Sequence, residues 1–269
     1  MTSLAALLDD TARDYPHRTA IVCGQDRRSY SDINAESNQV ASFLSARGME
    51  PGDKVALSCP NSPQFTIAYF GILKIGATVV PLNVLLKARE IAYHLADSDS
   101  VAYVAYEGNH DLPIGDAAHA AVKHLPEVSL FIVPTDASQA PWAGWPAEFT
   151  THHVDDDSTA VILYTSGTTG QPKGAALRHR NMRDNARASS EVYQVVASRP
   201  DSYLCALPLF HSFGQTCMQN GAIACGGKIV MLPRFEPFAA LTLMVDEAVT
   251  VFAGVPTMYW SWRPRVTSR

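Results

Sequence analysis

Short apolar runs alternate with amphipathic segments along almost the whole chain. Apolar and β-branched runs predict strands at residues 20–23, 55–59, 78–81, 101–106, 130–133, 159–164, 202–206, 228–232 and 250–253. Apolar positions three or four residues apart predict helices at residues 3–15, 31–47, 62–75, 88–97, 116–123, 181–195, 212–225 and 238–248. Apolar strands that alternate with helices predict an α/β fold, with mainly parallel sheets covered by helices.

One irregular stretch divides this alternation. Residues 134–157 contain three prolines, two tryptophans and a run of three aspartates, which favours a linker. We therefore predict a first α/β portion at residues 1–150 and a second at residues 151–259. Residues 260–269 form a third segment, a tail with two tryptophans and three arginines.

Composition excludes several classes of protein. The 269 residues are 47% apolar and 17% charged, which is typical of a folded globular protein. A net charge of −5 and the lack of a basic stripe argue against a nucleic-acid partner. Five cysteines without CxxC spacing predict reduced thiols and a cytoplasmic location.

Membrane and metal sites are also not expected. The most apolar stretch, residues 65–86, is interrupted by Lys74, Gly76 and Pro81, so no transmembrane span is predicted. His152 and His153 lie beside three aspartates, but neighbouring side chains in a loop rarely converge on one ion. We predict no metal site.

The segment with the most chemical information is residues 164–174, which read YTSGTTGQPKG. It contains four Ser or Thr hydroxyls, three glycines and a lysine: Thr165, Ser166, Thr168, Thr169, Gly167, Gly170, Gly174 and Lys173. Hydroxyl and backbone N–H groups donate hydrogen bonds to anions, glycine allows close approach of the backbone, and lysine adds positive charge. The segment therefore suits a polyphosphate.

One other interpretation of this segment stays open on the residues alone, and a second is excluded. Stretches rich in Gly, Ser and Thr are also typical of flexible linkers. A Walker A loop is not matched, because Lys173 is followed by Gly174 and by an apolar, strand-like run at residues 175–177. The pattern predicts a loop between two strands.

A second candidate is His211, in the sequence LPLFHSFG at residues 207–214. A histidine between two phenylalanines is often a packed core residue. This one, however, follows the predicted strand at residues 202–206, and ligands bind at strand ends in parallel sheets. His211 is therefore a candidate site residue.

The run at residues 164–174 resembles the phosphate loop of the adenylate-forming (AMP-binding) superfamily. This superfamily includes acyl-CoA synthetases, peptide-synthetase adenylation domains and firefly-type luciferases. Three further segments are similar to family segments: residues 28–33 with the following helix, residues 73–83 (LKIGATVVPLN) and residues 254–259 (GVPTMY). The resemblance covers about residues 3–259 and implies the fold of the family's large N-terminal domain.

The resemblance also implies roles for the candidate residues. Thr165, Ser166, Gly167, Thr168, Thr169, Gly170 and Lys173 match the loop that binds the phosphates of ATP. His211 matches a histidine, here taken as catalytic, beside the substrate carboxylate at the mouth of the acyl pocket. Peptide-synthetase domains usually carry a Phe-Asp element at that position, so the resemblance favours a CoA ligase.

The implied activity is that of an AMP-forming acyl-CoA ligase, which is an acid–thiol ligase of fatty acid metabolism. Its cofactors and co-substrates would be ATP, Mg²⁺ and CoA, and its partner a small-molecule carboxylic acid. Two alternatives stay open: an aryl-CoA ligase, or a non-catalytic nucleotide-binding remnant that needs a partner.

The chain also departs from the family pattern. Family members are about twice as long and continue with an aromatic-Thr-Glu motif, a ribose-binding aspartate, a hinge and a C-terminal domain that carries a lysine. Residues 260–269 do not resemble the family, which suggests a frameshift or premature stop. Full turnover by this chain alone is therefore in question, and a partner could supply the missing C-terminal half.

Overall fold

The computed structural model describes residues 3–165, 170–192, 194–196 and 198–263. Its strands are β1 (Thr19–Cys23), β2 (Asp26–Ser29), β3 (Lys54–Ser58), β4 (Thr78–Pro81), β5 (Ser100–Tyr106), β6 (Ser129–Val133), β7 (Thr159–Thr165), β8 (Lys173–Arg178), β9 (Ser202–Cys205), β10 (Lys228–Met231) and β11 (Val251–Phe252). Its α-helices are α1 (Ala6–Asp14), α2 (Tyr30–Ser45), α3 (Pro63–Lys74), α4 (Ala88–Asp97), α5 (Ile114–Val122), α6 (His179–Val192), α7 (Gly221–Ala224), α8 (Pro237–Asp246) and α9 (Pro256–Ser261).

The strands form two mainly parallel sheets, as predicted. One sheet has the order β6-β5-β3-β4-β7-β8 and the other β11-β9-β10-β1-β2. Within these sheets β8 and β2 are antiparallel to their neighbours, and both are edge strands. Each sheet combines strands from both sides of residues 134–157, since β4 pairs with β7 and β1 pairs with β10.

Helices α2 and α3 lie between the two sheets. Helix α3 is almost entirely apolar and contacts β3 and β4 on one side and β1 on the other. A helix that is apolar all round is stable only when it is buried. A capping box fixes the start of α2, because the Asp32 carboxylate accepts from the Ser29 N–H at 2.8 Å while the Ser29 hydroxyl accepts from the Asp32 N–H at 3.2 Å.

The last residue of α3, Lys74, is a buried cation. Its ammonium group pairs with Asp9 of α1 and donates to Asn34 Oδ1 of α2 at 2.8 Å. The other oxygen of Asp9 accepts from the Thr151 hydroxyl at 2.7 Å. Burial lowers the pKa of Lys74, and the Asp9 carboxylate opposes that shift. This polar group joins three helices and the irregular stretch to the core.

Two regions differ from the predicted elements. The predicted helix at residues 212–225 starts as a π-helical segment, Gly214–Asn220, which α7 continues. Buried polar side chains hold this widened turn, since Gln215 Nε2 donates to the Leu209 carbonyl and the Thr66 hydroxyl donates to Gln219 Oε1. The second region is the end of the chain. Helix α9 ends at Ser261, inside the segment predicted as a tail, and Trp262 donates from Nε1 to the Pro237 carbonyl at 2.9 Å.

The stretch at residues 134–157 packs against the body of the fold. Trp142 and Trp145 both meet the ring of Phe43 edge-on, with centroid distances of 6.3 and 5.6 Å. In the part of the chain that the structure describes, none of the helices combines the length and apolar content needed to cross a membrane.

We expect Gly71→Ala to destabilise the fold by about 1–3 kcal/mol, because α2 packs directly against this position. A Cβ at Gly71 would lie 2.9 Å from the Ser37 carbonyl oxygen and would overlap Val40. Gly221→Ala is the matched control, since a Cβ there makes ordinary contacts at 3.6 Å. That variant should be neutral or slightly stabilising. Urea unfolding measures both, and equal effects would contradict the close packing of α2 on α3.

His179, the first residue of α6, is a buried histidine directly after β8. Its Nδ1 accepts from the backbone N–H of Leu4 at 3.0 Å, so Nε2 carries the proton in the neutral ring. Burial lowers the pKa of His179 from 6.5 to about 4; the nearby Asp156 opposes this shift and Arg183 adds to it. The folded chain therefore favours the uncharged ring.

This burial predicts acid sensitivity. Since the folded pKa lies below the unfolded value, the stabilisation from neutral His179 is complete above about pH 6.5 and is lost as the pH falls towards 4, by up to about 3 kcal/mol. The free-energy difference between the unmodified chain and His179→Asn should therefore shrink between pH 7 and pH 4.5 in urea unfolding. His110→Asn, at an exposed position, is the control. A constant difference would disprove the titration of His179.

Candidate functional site

A cleft of about 680 Å³ opens at the carboxyl ends of parallel strands. Strand β4 ends there at Pro81 and β7 ends there at Thr165. The described residues that line it are Pro81, Leu82, Asn83, Leu86, Arg89, Glu90, Tyr93, His94, Tyr164, Thr165, Gly170, Gln171, Pro172, Phe210 and His211. The position agrees with the general rule that ligands bind at this edge of a parallel sheet.

The hydroxyl- and glycine-rich segment connects β7 to β8, as predicted. Thr165, the last residue of β7, pairs with Lys173, the first residue of β8, and both side chains are exposed. Gly170 has φ of +93°, a conformation that glycine adopts readily and other residues rarely. Ser166, Gly167, Thr168 and Thr169 lie outside the described residues.

Helix α4 forms the wall of the cleft next to this loop. Tyr93 donates from its hydroxyl to the Pro172 carbonyl at 2.9 Å. Tyr164 donates to Asp97 Oδ2 at 2.6 Å, and its ring meets that of His94 edge-on at 4.2 Å. Burial, followed by the Asp97 carboxylate, raises the pKa of Tyr164, so its hydroxyl remains a donor. Both ends of the loop thus contact α4.

His211 lies on the opposite wall of the cleft, after β9. Its backbone N–H donates to the Pro208 carbonyl at 3.1 Å, which closes a turn, and its exposed ring lies 4.8 Å from the ring of Phe210. The π-helical segment begins three residues after His211, at Gly214. A Cβ at Gly214 would come within 2.8 Å of the Pro208 carbonyl carbon, so the turn requires glycine there.

A buried asparagine holds the segment that carries His211. The amide of Asn61 donates to the Leu207 carbonyl at 2.9 Å, and its oxygen accepts from the Leu209 N–H at 2.9 Å. Asn61 follows β3 of one sheet, whereas Leu207 and Leu209 follow β9 of the other. This single side chain therefore fixes the distance between the two sheets at the cleft.

The structure brings three of the sequence-predicted residues to one cleft: Thr165, Gly170 and His211. Lys173 lies beside Thr165 in the β7–β8 ladder. Sequence reasoning missed Asn61 and Tyr93. Asn61 could have been found, because it follows a buried strand at the same sheet edge; Tyr93 is hidden in the ordinary polar pattern of an amphipathic helix.

The chemistry of this cleft suits an anionic ligand next to an organic group. Hydroxyl groups and the described ends of the loop line one part of the cleft, and an imidazole next to an aromatic ring lines another. Lys173 pairs with the lining residue Thr165 in the β7–β8 ladder. Leu82 and Leu86 supply apolar surface between the walls. A mixed polar and apolar cleft of this size can hold a drug-sized or nucleotide-sized molecule.

The chain is similar to known proteins over nearly its whole length. The chain is 29% identical to the long-chain-fatty-acid–CoA ligase of Bacillus subtilis over 96% of its own length and 51% of the relative's. It is 31% identical to a feruloyl-CoA synthase of Amycolatopsis sp., over 92% of this chain and 48% of the relative. The chain therefore spans about half the length of the curated relatives it matches.

Solved structures share the fold. ATP-bound MatB from Rhodopseudomonas palustris superposes with a TM-score of 0.84 at 30% identity, over 99% of this chain and 52% of MatB. The sequence profile described as "AMP-binding enzyme" matches residues 8–264, nearly the whole chain. By this match and this shared fold, the chain belongs to the AMP-binding enzyme family.

Proposed function

We propose that this chain binds ATP and a carboxylic acid in the cleft and joins them as an acyl-adenylate, the first step of an AMP-forming acyl-CoA ligase. The observation that carries this proposal is that the loop ends Thr165 and Gly170 and the distant His211 open on the same cleft. The family membership of the chain supports the reaction type.

The reaction follows from the chemistry of carboxylates. A carboxylate is a poor electrophile, so it first attacks the α-phosphorus of ATP; a new O–P bond forms and the bond to pyrophosphate breaks. ATP arrives as its magnesium complex, which neutralises phosphate charge. CoA thiolate then attacks the acyl carbon and AMP leaves. The chain's part in this chemistry is positioning and electrostatic stabilisation.

The residues of the two walls fit these roles. We assign binding of the ATP phosphates to the loop that runs from Thr165 to Lys173, including Ser166, Gly167, Thr168, Thr169 and Gly170. We assign His211 to the substrate carboxylate, opposite the phosphates. With these assignments, we expect the attacking carboxylate and the α-phosphate to meet in the cleft.

For the acid we propose a fatty carboxylic acid. Leu82, Leu86 and Phe210 give the cleft an apolar lining that suits an acyl chain, and a long-chain-fatty-acid–CoA ligase is among the relatives. An aryl acid is the second candidate, favoured by the 31% identity to a feruloyl-CoA synthase. The cytoplasmic location and the partner polypeptide stay predictions from the sequence.

A pyrophosphate-release assay with a panel of fatty and aryl acids tests the proposed function. Release that depends on one class of acid would assign the substrate. Silence across the panel, with ATP still bound in calorimetry, would favour the non-catalytic nucleotide-binding module instead.

We expect Lys173→Ala to weaken MgATP binding by about 10- to 100-fold, because a charge-assisted hydrogen bond to phosphate is lost. Titration calorimetry measures the affinity. Lys123→Ala removes an exposed lysine that follows α5, whereas the cleft is lined by α4 and by segments at the strand ends, and it should leave the affinity unchanged. Equal affinities of the Lys173 variant and the unmodified chain would remove Lys173 from the site.

For His211→Ala the expected effect is different: acid-dependent pyrophosphate release should fall by about 10- to 100-fold, while MgATP affinity changes less than about twofold. The reason is that His211 contacts the acid and not the phosphates. The exposed His124→Ala serves as the control. A loss of ATP affinity in the His211 variant as large as its loss of turnover would contradict the assignment.

A further inference from the structure

The two ends of the β7–β8 loop make side-chain hydrogen bonds to the same helix. Before the loop, Tyr164 donates to Asp97 Oδ2 at 2.6 Å. After it, the Pro172 carbonyl accepts from the Tyr93 hydroxyl at 2.9 Å. Tyr93 and Asp97 are one turn apart on α4, and their side chains approach to 3.4 Å. We call this pair the α4 brace.

The loop needs such an outside support. Gly170 has φ of +93° and Gly174 lies in β8, and glycine by itself favours no single backbone conformation. Strand β8, which receives the chain after the loop, is an edge strand whose residues 173–176 are exposed. The ladder to β7 is thus supplemented at the loop by the contacts with α4.

The position of Asp97 adds to this argument. It is the last residue of α4, where the helix macrodipole disfavours a negative charge. The hydrogen bond from the Tyr164 hydroxyl to its carboxylate offsets that cost. The presence of a carboxylate at this position is therefore accounted for by its hydrogen bond with Tyr164 and not by the stability of α4.

We propose that Tyr93 and Asp97 are positioning residues, which fix both ends of the phosphate loop and thereby set the affinity for ATP. The proposal rests on the proposed function. A loop held in its binding conformation binds more tightly than one that must first be ordered, because the apparent affinity falls with the fraction of competent molecules.

Tyr93→Phe tests the brace, because it removes only the hydroxyl that holds Pro172. One hydrogen bond corresponds to an expected loss of about 3- to 10-fold in MgATP affinity. Tyr103→Phe is the matched control: its hydroxyl donates to Ser58 at 2.7 Å within the same sheet but on β5, away from the loop. Titration calorimetry with MgATP and thermal melting are measured for both variants.

A second pair of variants tests Asp97. Asp97→Asn keeps an oxygen that accepts from Tyr164, whereas Asp97→Ala does not, so affinity should fall in the alanine variant and be largely retained in the asparagine variant. Hydrogen exchange of the peptide 164–174, without nucleotide, should be faster in Tyr93→Phe and Asp97→Ala than in Tyr103→Phe.

Selective loss of affinity in Tyr93→Phe, with melting temperatures similar to the control, supports the brace. Unchanged affinity, or an equal loss in Tyr103→Phe, overturns it. If the unmodified chain does not bind MgATP, the proposed function fails, and the role of the α4 brace in ATP affinity fails with it. The hydrogen-exchange rates then show separately whether α4 fixes the ends of the loop.

Discussion

The burial of α3 between the two sheets is the constraint on which the rest of the structure depends. This helix is apolar on all sides, so it can be stable only with a sheet against each face. Both of its ends then become fixed points. At the C-terminal end of α3, Lys74 pairs with Asp9. Just before its N-terminal end, Asn61 of the β3 sheet forms hydrogen bonds with Leu207 and Leu209, which follow β9 of the other sheet. The core thus sets the geometry of the cleft.

Site and core are connected through short-range contacts. Asn61 fixes the wall that carries His211, and α4 supports the wall that carries the loop. In the proposed reaction, neither Asn61 nor the residues of α4 react with the substrate. Their effect is to join two walls that are built from distant parts of the sequence.

Much of this arrangement could be predicted from the sequence. The apolar runs at β4 and β7 and the apolar helix α3 are strong local signals, because full burial needs continuous apolar segments. Strand β2, with the sequence DRRS, has no such signal, since an edge strand can be polar on both faces. The π-helical turn at Gly214 was also hidden, because the hydrogen bond from Thr66 to Gln219 that helps to hold it joins residues far apart in the sequence.

For the site, sequence reasoning found the residues with distinctive chemistry and missed those that hold them. Thr165, Gly170 and His211 stand out by type and spacing, and all line the cleft. Asn61 and Tyr93 act through hydrogen bonds to backbone groups, which depend on tertiary distance and leave no periodic pattern.

Two buried cysteines near Asn61 have a consequence for thiol chemistry. Burial raises the pKa of Cys59 and of Cys205 to about 12, so both side chains remain protonated at neutral pH. A protonated thiol is a weak nucleophile. In the proposed reaction, these two sulfur atoms would therefore compete poorly with the thiolate of CoA for the activated acyl group.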